Sequence, residues 1–143
     1  MNRLGALGLV MASIVLAQDA GVGGAITVKV TVRSNQGKVA CTLFKGPEGF
    51  PSDPTRSLQQ RWCAIDGTLA TCKFDPIPAG SYAIACFHDE NGNGLLDKGM
   101  FGIPKEGVVV SNNAKGSFGP PKYEDAKFSF PGTPTELSLQ PRY

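Results

Sequence analysis

The sequence predicts an all-β protein, a single antiparallel β-sandwich of about seven strands. Glycine and proline are abundant, with 18 and 11 residues in a chain of 143, and they favour many turns between short elements. Several short segments alternate apolar and polar residues, which is typical of half-buried strands. A chain of this length usually forms one domain, and short strands separated by turns are typical of a sandwich.

The first predicted strand is 26–32 (ITVKVTV), where apolar and polar residues alternate over the full length. A turn at 35–37 (NQG) leads to a return strand at 38–44. A loop rich in glycine and proline follows at 45–56. The later strands are predicted at 61–65, 69–74, 81–88, 125–130 and 135–140, with a short apolar run at 108–110.

The N-terminus has the pattern of a signal peptide. A short basic segment ending at Arg3 precedes an apolar, uncharged run at 4–17, which is too short to span a bilayer. Small or medium residues at its end predict cleavage before Gln18. We therefore expect a signal peptide at 1–17, a flexible lead-in at 18–25 and the β-sandwich domain at 26–143. The expected location is secreted, periplasmic or at the cell surface, and the alternative is a buried N-terminal helix.

The chain has four cysteines, none of them in a Cys-x-x-Cys pair, so a zinc site or a redox motif of that kind is not expected. Export predicts disulfides instead. Three pairings are possible. We favour Cys63–Cys72, across a hairpin with its turn near Gly67, and Cys41–Cys86, which lie in two apolar strands. The alternative is four reduced, buried thiols.

The charge pattern limits the kinds of partner. The formal net charge is only +2, and the sequence shows no basic stripe. A nucleic-acid partner and a polybasic membrane patch are therefore not expected. The mature chain contains no predicted membrane span. The expected partner is an unidentified ligand or a component of the cell envelope.

The segment 89–97 (DENGNGLLD) fits the first part of an EF-hand-type calcium loop. In such a loop, alternate oxygens converge on one ion as the chain curls around it, and a glycine at the sixth position allows the sharp turn. Gly94 occupies that position here. The predicted ligands, in order, are Asp89, Asn91, Asn93, the carbonyl oxygen of Leu95, and Asp97.

The last ligand of an EF-hand is missing from this loop. The twelfth position, where an EF-hand carries a bidentate glutamate, is Met100. Glu106, Glu124 and Asp125 are the candidates to replace it. With two or three carboxylates, we expect a structural calcium ion held weakly, at about 10⁻⁴–10⁻³ M. Two alternatives remain open: a bare turn that uses Asn and Asp for left-handed backbone geometry, and a site for another cation.

His88 is the chain's single histidine and precedes two acidic residues, Asp89 and Glu90. A histidine beside carboxylates is a candidate general base, although a hydrogen-bonded histidine at a strand end has the same pattern. The sequence contains no Gly-x-Ser-x-Gly nucleophile motif, and one histidine excludes a histidine-based metal centre. No residue is therefore assigned a catalytic role.

A second conspicuous segment, 111–121, is rich in asparagine, glycine and proline. Adjacent asparagines beside a lysine and an aromatic residue are candidates for a polar recognition surface. In the alternative interpretation, the asparagine side chains cap backbone groups and Phe118 packs into the sandwich. The residues of the candidate surface are His88, Ser111, Asn112, Asn113 and Lys115.

Several of these motifs occur in the order found in a known bacterial family. They are FHDENGNG at 87–94, Asp97, FGIPKEG at 101–107, SNNA at 111–114 and FGPP at 118–121. On these motifs the chain, from about residue 26 onward, resembles the DUF2141 family of bacterial exported proteins. The resemblance implies a secreted or periplasmic β-sandwich, similar in outline to transthyretin-like or carboxypeptidase-regulatory-like modules, and it implies no reaction. Cys41 and Cys86 depart from it, since aliphatic core residues are expected there.

Three functional hypotheses follow from these features. The first is an exported, non-enzymatic binding or accessory module with calcium as its expected cofactor. The second is a hydrolase-like or carbohydrate-active enzyme, which requires its polar groups to converge in one pocket. The third is a structural component of the envelope without a ligand. The groups that the enzyme hypothesis requires are His88, Asp89, Glu90, Asn112 and Asn113.

Overall fold

The structure, a computed structural model, describes residues 23–143. Over this range it contains nine strands and one short α-helix, and it confirms the predicted all-β sandwich. The predicted signal peptide, and residues 18–22 of the predicted lead-in, lie outside the described residues. The elements are β1 (Ile26–Thr31), β2 (Lys38–Phe44), β3 (Gln59–Cys63), β4 (Ile65–Asp66), β5 (Leu69–Lys73), β6 (Gly80–Asp89), β7 (Val108–Val110), α1 (Tyr123–Ala126), β8 (Phe128–Phe130) and β9 (Thr135–Leu139), with 3-10 helices at Pro54–Arg56, Met100–Gly102 and Ser111–Asn113.

The strands form two packed sheets. Sheet 1 has the order β4-β5-β1-β9, and sheet 2 has the order β3-β2-β6-β7, with β8 also paired to β6. The long strand β6 carries β7 beside its C-terminal half and β8 beside its N-terminal half. Between β8 and β9 the chain passes from sheet 2 to sheet 1, where β9 runs parallel to β1. The predicted antiparallel arrangement holds with this one exception among the described strands.

The predicted hairpin between 61–65 and 69–74 is only partly present. β4 pairs with β5 in sheet 1, but β3 lies in sheet 2, so the chain crosses between the sheets at Ala64. Because β3 lies beside β2 in sheet 2, Trp62 of β3 packs edge-to-face on Phe87 of β6, with ring centroids 5.7 Å apart. Because β3 and β4 are separate strands and β7 is an additional one, the described chain has nine strands instead of about seven.

Both favoured disulfides are present, and they hold different parts of the sandwich. Cys41 of β2 lies directly opposite Cys86 of β6 within sheet 2, with Cα atoms 4.2 Å apart. Cys63 of β3 and Cys72 of β5 have Cα atoms 5.6 Å apart. Since β3 and β5 belong to different sheets, this second pair links the two sheets rather than the two arms of one hairpin. All four cysteines are therefore paired.

The main hydrophobic core lies between the sheets. Alternate residues of β1, β2, β5 and β6 fill it, and most of them are completely buried. Removing one such side chain from water contributes about 1.5–3 kcal/mol. A second cluster covers the outer face of sheet 2, where Tyr123 and Ala126 of α1 join Phe44, Ala83 and Val110. Strand β6 is thus buried on both faces, which explains its almost continuous apolar sequence.

Residues 125–130, predicted as one strand, form instead the end of α1 and the strand β8. A helix of four residues has little intrinsic stability, so its contacts must hold it. Ser111 Oγ donates a hydrogen bond to the carbonyl oxygen of Ala126 at 2.6 Å, and the Tyr123 ring is buried. Neither α1 nor any other helix between residues 23 and 143 has the length and hydrophobicity needed to cross a membrane.

Candidate functional site

The candidate calcium loop, residues 89–97, leaves the sandwich directly from β6, which ends at Asp89. Gly92 and Gly94 have φ angles of +70° and +80°, and such left-handed conformations favour glycine. The chain therefore curls back sharply at the position where the sequence predicts a turn. On the other side, Gly37 packs so closely on the carbonyl group of Asp89 that a larger residue would not fit. The 89–97 loop thus starts from a tightly held strand end.

Asp89 is the acidic residue of this loop that the fold buries. Only 2% of the residue is exposed. Its Oδ2 accepts a hydrogen bond from the Gly94 N–H at 2.8 Å, which closes the curl. Its Oδ1 has no hydrogen-bond partner among residues 23–143. A buried carboxylate oxygen is costly unless a hydrogen-bond donor or a cation replaces the bulk water that it loses on folding.

Asn91, Asn93 and Asp97 lie together at the exposed side of the loop. Each asparagine Oδ1 accepts a hydrogen bond from the backbone N–H two residues further along the chain. Asn91 Oδ1 accepts from Asn93 N at 3.2 Å, and Asn93 Oδ1 accepts from Leu95 N at 3.0 Å. Both Nδ2 groups donate to the Asp97 carboxylate, that of Asn93 to Oδ1 at 2.8 Å. The side chains are brought together, but amide nitrogens rather than oxygens face Asp97. Leu95, whose carbonyl is a predicted ligand, has an exposed side chain.

Glu106 fastens both ends of the loop. Its side chain is buried, with 6% of the residue exposed. Oε2 accepts a hydrogen bond from Glu90 N at 2.9 Å, and Oε1 accepts one from Asp97 N at 3.1 Å. One carboxylate therefore binds the backbone next to each end of the curl. This role was not predicted, since the sequence indicates Glu106 only as a candidate ligand.

The other two candidates for the last ligand belong to a different part of the molecule. Glu124 and Asp125 lie in α1. The Tyr123 hydroxyl of α1 contacts the carbonyl of Ser81 at 3.4 Å, near the start of β6, whereas the 89–97 loop follows the end of this strand. Glu124 also pairs with Lys127. These two acids are therefore placed away from the loop.

An ion pair fixes Glu90, the second residue of the loop. Arg33 donates two hydrogen bonds to its carboxylate, from Nε at 3.1 Å and from Nη2 at 2.7 Å. Ser34 Oγ donates a third at 3.1 Å. The hydrogen bond from Arg33, with help from Ser34, lowers the pKa of Glu90 below its usual value. The loop is thus tied to the β1–β2 connection.

The lowered pKa of Glu90 predicts a pH dependence of stability. A carboxyl group whose pKa falls on folding stabilises the protein above its unfolded pKa, here near 4.5, and loses this contribution as the pH falls through the folded value. We expect Glu90→Gln to lower the free energy of unfolding at neutral pH, and the difference from wild type to shrink below pH 4.5. Urea unfolding at several pH values measures it. The same substitution at the exposed Glu48 is the control. A difference in the free energy of unfolding between Glu90→Gln and wild type that stays constant in acid would contradict the prediction.

His88 is completely buried at the end of β6. Its Nε2 lies 2.7 Å from the carbonyl oxygen of Gln36, which only accepts, so Nε2 carries the proton. In a neutral ring, Nδ1 then accepts from the Tyr143 hydroxyl at 2.7 Å. Burial raises the pKa of Tyr143, and Arg33 stacks on its ring at 4.1 Å. Both ring nitrogens of His88 are thus occupied by structural partners.

The candidate recognition segment is tied to the backbone of α1. Ser111 Oγ accepts from Ile84 N at 3.0 Å besides donating to Ala126. Asn112 Nδ2 donates to the carbonyl oxygens of Asp125 and Lys127 at 3.3 and 2.8 Å, so the interpretation in which asparagine caps backbone groups applies to Asn112. Asn113 and Lys115 are exposed.

Phe118 lies fully in solvent, so the alternative in which it packs into the sandwich is wrong. Asn113 lines a surface cavity of about 480 Å³, whose walls come from Thr31 and residues 138–142. His88, Asp89 and Glu90 are not among the residues of that cavity. Among the described residues, this cavity therefore does not bring Asn113 together with the other groups that the enzyme hypothesis requires.

The chemistry open to the 89–97 loop follows from its atoms. Between residues 23 and 143, no three His, Cys, Asp or Glu side chains lie close enough to hold a metal ion by themselves. An ion at this loop would need amide, carbonyl or water oxygens besides the carboxylates of Asp89 and Asp97. Such all-oxygen coordination suits hard cations such as calcium rather than transition metals.

Comparison with known proteins gives one match. A family model described as an uncharacterized protein conserved in bacteria (DUF2141) matches residues 26–138. The match begins at the first residue of β1 and ends within β9, so it covers nearly the whole sandwich. The searches of curated proteins and of solved structures found no match.

Proposed function

The chain belongs to the DUF2141 family of bacterial proteins, and from this premise we propose that it is an exported, non-catalytic β-sandwich module whose 89–97 loop binds calcium. The ion is structural, and the module serves as a binding or accessory domain of the cell envelope. The observation that carries the proposal is the Asp89 carboxylate, which is buried while its Oδ1 has no partner in the described chain.

A calcium ion would supply the partner that Asp89 lacks. The Asp97 carboxylate and the side chains of Asn91 and Asn93 lie on the same short loop, and Gly94 already closes it onto Asp89. Binding would exchange the two amide contacts of Asp97 for contacts with the ion. Because only two carboxylates contribute, the expected dissociation constant is about 10⁻⁴–10⁻³ M, in the range of extracellular modules.

Export is supported by two independent features. The sequence at 1–17 has the charge and hydropathy pattern of a signal peptide. In addition, all four cysteines are paired, and disulfides persist in oxidising compartments such as the periplasm or the extracellular space. A periplasm or an extracellular medium also supplies the calcium concentration that a weak site needs.

A non-catalytic role is supported by the placement of His88. Both of its nitrogens are engaged, the ring is buried, and Asn112 is bound to backbone carbonyls. A general base must reach the proton that it removes, and His88 has no free nitrogen directed at a substrate. The binding module is therefore favoured over the enzyme.

A calcium-dependent thermal melt tests the proposal. In 10 mM calcium, we expect the free energy of unfolding to rise by about 1.4–2.7 kcal/mol, or the melting temperature by roughly 5–10 °C. Asp89→Asn should abolish this increase, since it removes the carboxylate. In EDTA the same variant should be as stable as wild type or more stable, because it removes a buried charge that only one hydrogen bond of the described chain offsets.

Asp66→Asn is the matched control, since Asp66 is an exposed acid at the end of β4, next to the turn into β5. It should keep the full calcium response. The proposal fails if calcium leaves the melting temperature of wild type unchanged, or if Asp89→Asn responds like wild type. Magnesium, which demands a tighter octahedral site, should give the smaller shift at equal concentration.

A further inference from the structure

Directly after the 89–97 loop, the chain forms a small hairpin that ends in apolar side chains. Lys98 and Pro104 form an isolated bridge, flanked by backbone hydrogen bonds from Lys105 N to Asp97 O at 2.8 Å and from Gly99 N to Ile103 O at 2.7 Å. The turn is the 3-10 helix Met100–Gly102. We call Met100, Phe101 and Ile103 the apolar tip.

The apolar tip is presented to solvent. Met100 is 77% exposed, Phe101 is 92% exposed and Ile103 is 63% exposed. Phe101 has a φ angle of +61°, a left-handed conformation that is unfavourable for a bulky residue. The hairpin therefore maintains a strained backbone while its aromatic ring lies in water. Contiguous exposed apolar side chains mark interaction sites with proteins or membranes.

Charges at the base of the hairpin identify the kind of partner. Lys98 and Lys105 are both exposed, and they lie on opposite strands just below the apolar tip. The stem of Lys105 lies against Gly99, with its Cε 3.3 Å from where a Cβ would be. Asp97, which precedes Lys98 in the chain, is already in contact with two amides. An apolar tip above two lysines is complementary to a surface with anionic headgroups and an apolar interior.

We propose that the apolar tip inserts into the anionic surface of a lipid bilayer, with Lys98 and Lys105 contacting the headgroups. The size of the tip favours a membrane over a protein partner. A specific protein interface buries about 800 Å² on each side, more than three side chains at one turn provide, whereas a bilayer accepts a small wedge and adds electrostatic attraction. The proposal goes beyond the calcium proposal and does not require bound calcium.

Flotation with lipid vesicles tests the proposal. The exported protein is mixed in EDTA with vesicles of phosphatidylcholine alone or with added phosphatidylglycerol. We expect binding to the anionic vesicles and much weaker binding to the neutral ones. Phe101→Ser should reduce the partition coefficient about tenfold, and Lys98→Gln with Lys105→Gln should reduce it about fivefold for each charge.

Phe118→Ser is the matched control. Phe118 is, like Phe101, a fully exposed phenylalanine. It lies apart from the hairpin, because it is close in sequence to Pro120 and Pro121, and these line a different groove together with Phe50. All variants share the same N-terminal segment, so differences between them report on the tip. Unchanged melting temperatures show that the variants fold.

Three results of the vesicle experiment would overturn the proposal. They are equal binding to both kinds of vesicle, wild-type binding by Phe101→Ser, and a loss in Phe118→Ser as large as in Phe101→Ser. Tip-dependent self-association in solution without vesicle binding would assign the surface to a second copy of the chain, and it would also overturn the lipid proposal. Because EDTA is present throughout, a failed calcium response leaves these outcomes unaffected.

Discussion

Removal of the Cys41–Cys86 disulfide in Cys41→Ala/Cys86→Ala is expected to lower the free energy of unfolding by about 4 kcal/mol. The two cysteines are 45 residues apart in sequence, and a cross-link that closes a loop of this length removes much conformational entropy from the unfolded chain. Both residues are buried in the main core, so their smaller replacements add a packing loss. Chemical denaturation of the double variant measures the effect.

The second disulfide provides the matched comparison. Cys63 and Cys72 are only 9 residues apart, so Cys63→Ala/Cys72→Ala should cost about 2.6 kcal/mol by the same entropy estimate. The Cys63–Cys72 bond nevertheless joins the two sheets, so the double variant also loses a covalent link across the core. If both double variants were within about 0.5 kcal/mol of wild type, the disulfides would not stabilise the sandwich as we infer.

Glu106→Ala is expected to lower the free energy of unfolding by about 3 kcal/mol and to abolish the calcium response. The buried carboxylate accepts hydrogen bonds from the backbone N–H groups of Glu90 and Asp97. Losing an acceptor that carries a charge costs about 1.5–3 kcal/mol per hydrogen bond. Without it, the two ends of the 89–97 loop are no longer held. Urea unfolding and the calcium melt measure the two effects.

Two variants separate this role from a general effect of removing charge. Glu106→Gln keeps one acceptor oxygen, so it should lose about half as much stability. Glu136→Ala removes an exposed glutamate that pairs with Lys29 at 3.5 Å, and its effect should stay within about 0.5 kcal/mol. A calcium response that survives in Glu106→Ala would show that Glu106 does not organise the loop.

The sandwich itself could be predicted because its strands carry local signals. In 26–32 and 38–44, apolar residues recur at the spacing that one buried face requires, and both segments are strands. The cysteine pairing was also predicted, although its geometry was not. An alternating segment looks the same whether it pairs with its neighbour along the chain or with a strand of the other sheet, so the crossing at Ala64 left no local signal.

Two features of the site depend on contacts between distant residues. The helix α1 exists because Ser111 and Asn112 bind its backbone carbonyls, and no pattern within four residues indicates this. Glu106 reaches back 16 residues to Glu90. The sequence carried only a weak signal of this role. Glu106 lies close to the apolar run that forms β7, and an acid at such a position is buried only if it is hydrogen-bonded.

The turn at 89–97 could be predicted from the order of its residues, because the curl is a local structure. The glycine at its sixth position and the asparagines that bind the backbone two residues on are typical of turns that contain Asn and Gly. The same features occur in a bare turn and in a calcium loop, which is why the sequence left both open. The distinction lies in Asp89, whose burial depends on the packing of β6 and the β1–β2 connection.

A crystal structure determined in 10 mM calcium tests the central inference most directly. We predict an ion with six to eight oxygen ligands at about 2.3–2.6 Å, with Asp89 Oδ1 and the Asp97 carboxylate among them. The contradicting result is a loop without an ion at that concentration, in which Asp89 Oδ1 is hydrogen-bonded to a water molecule or to another part of the chain.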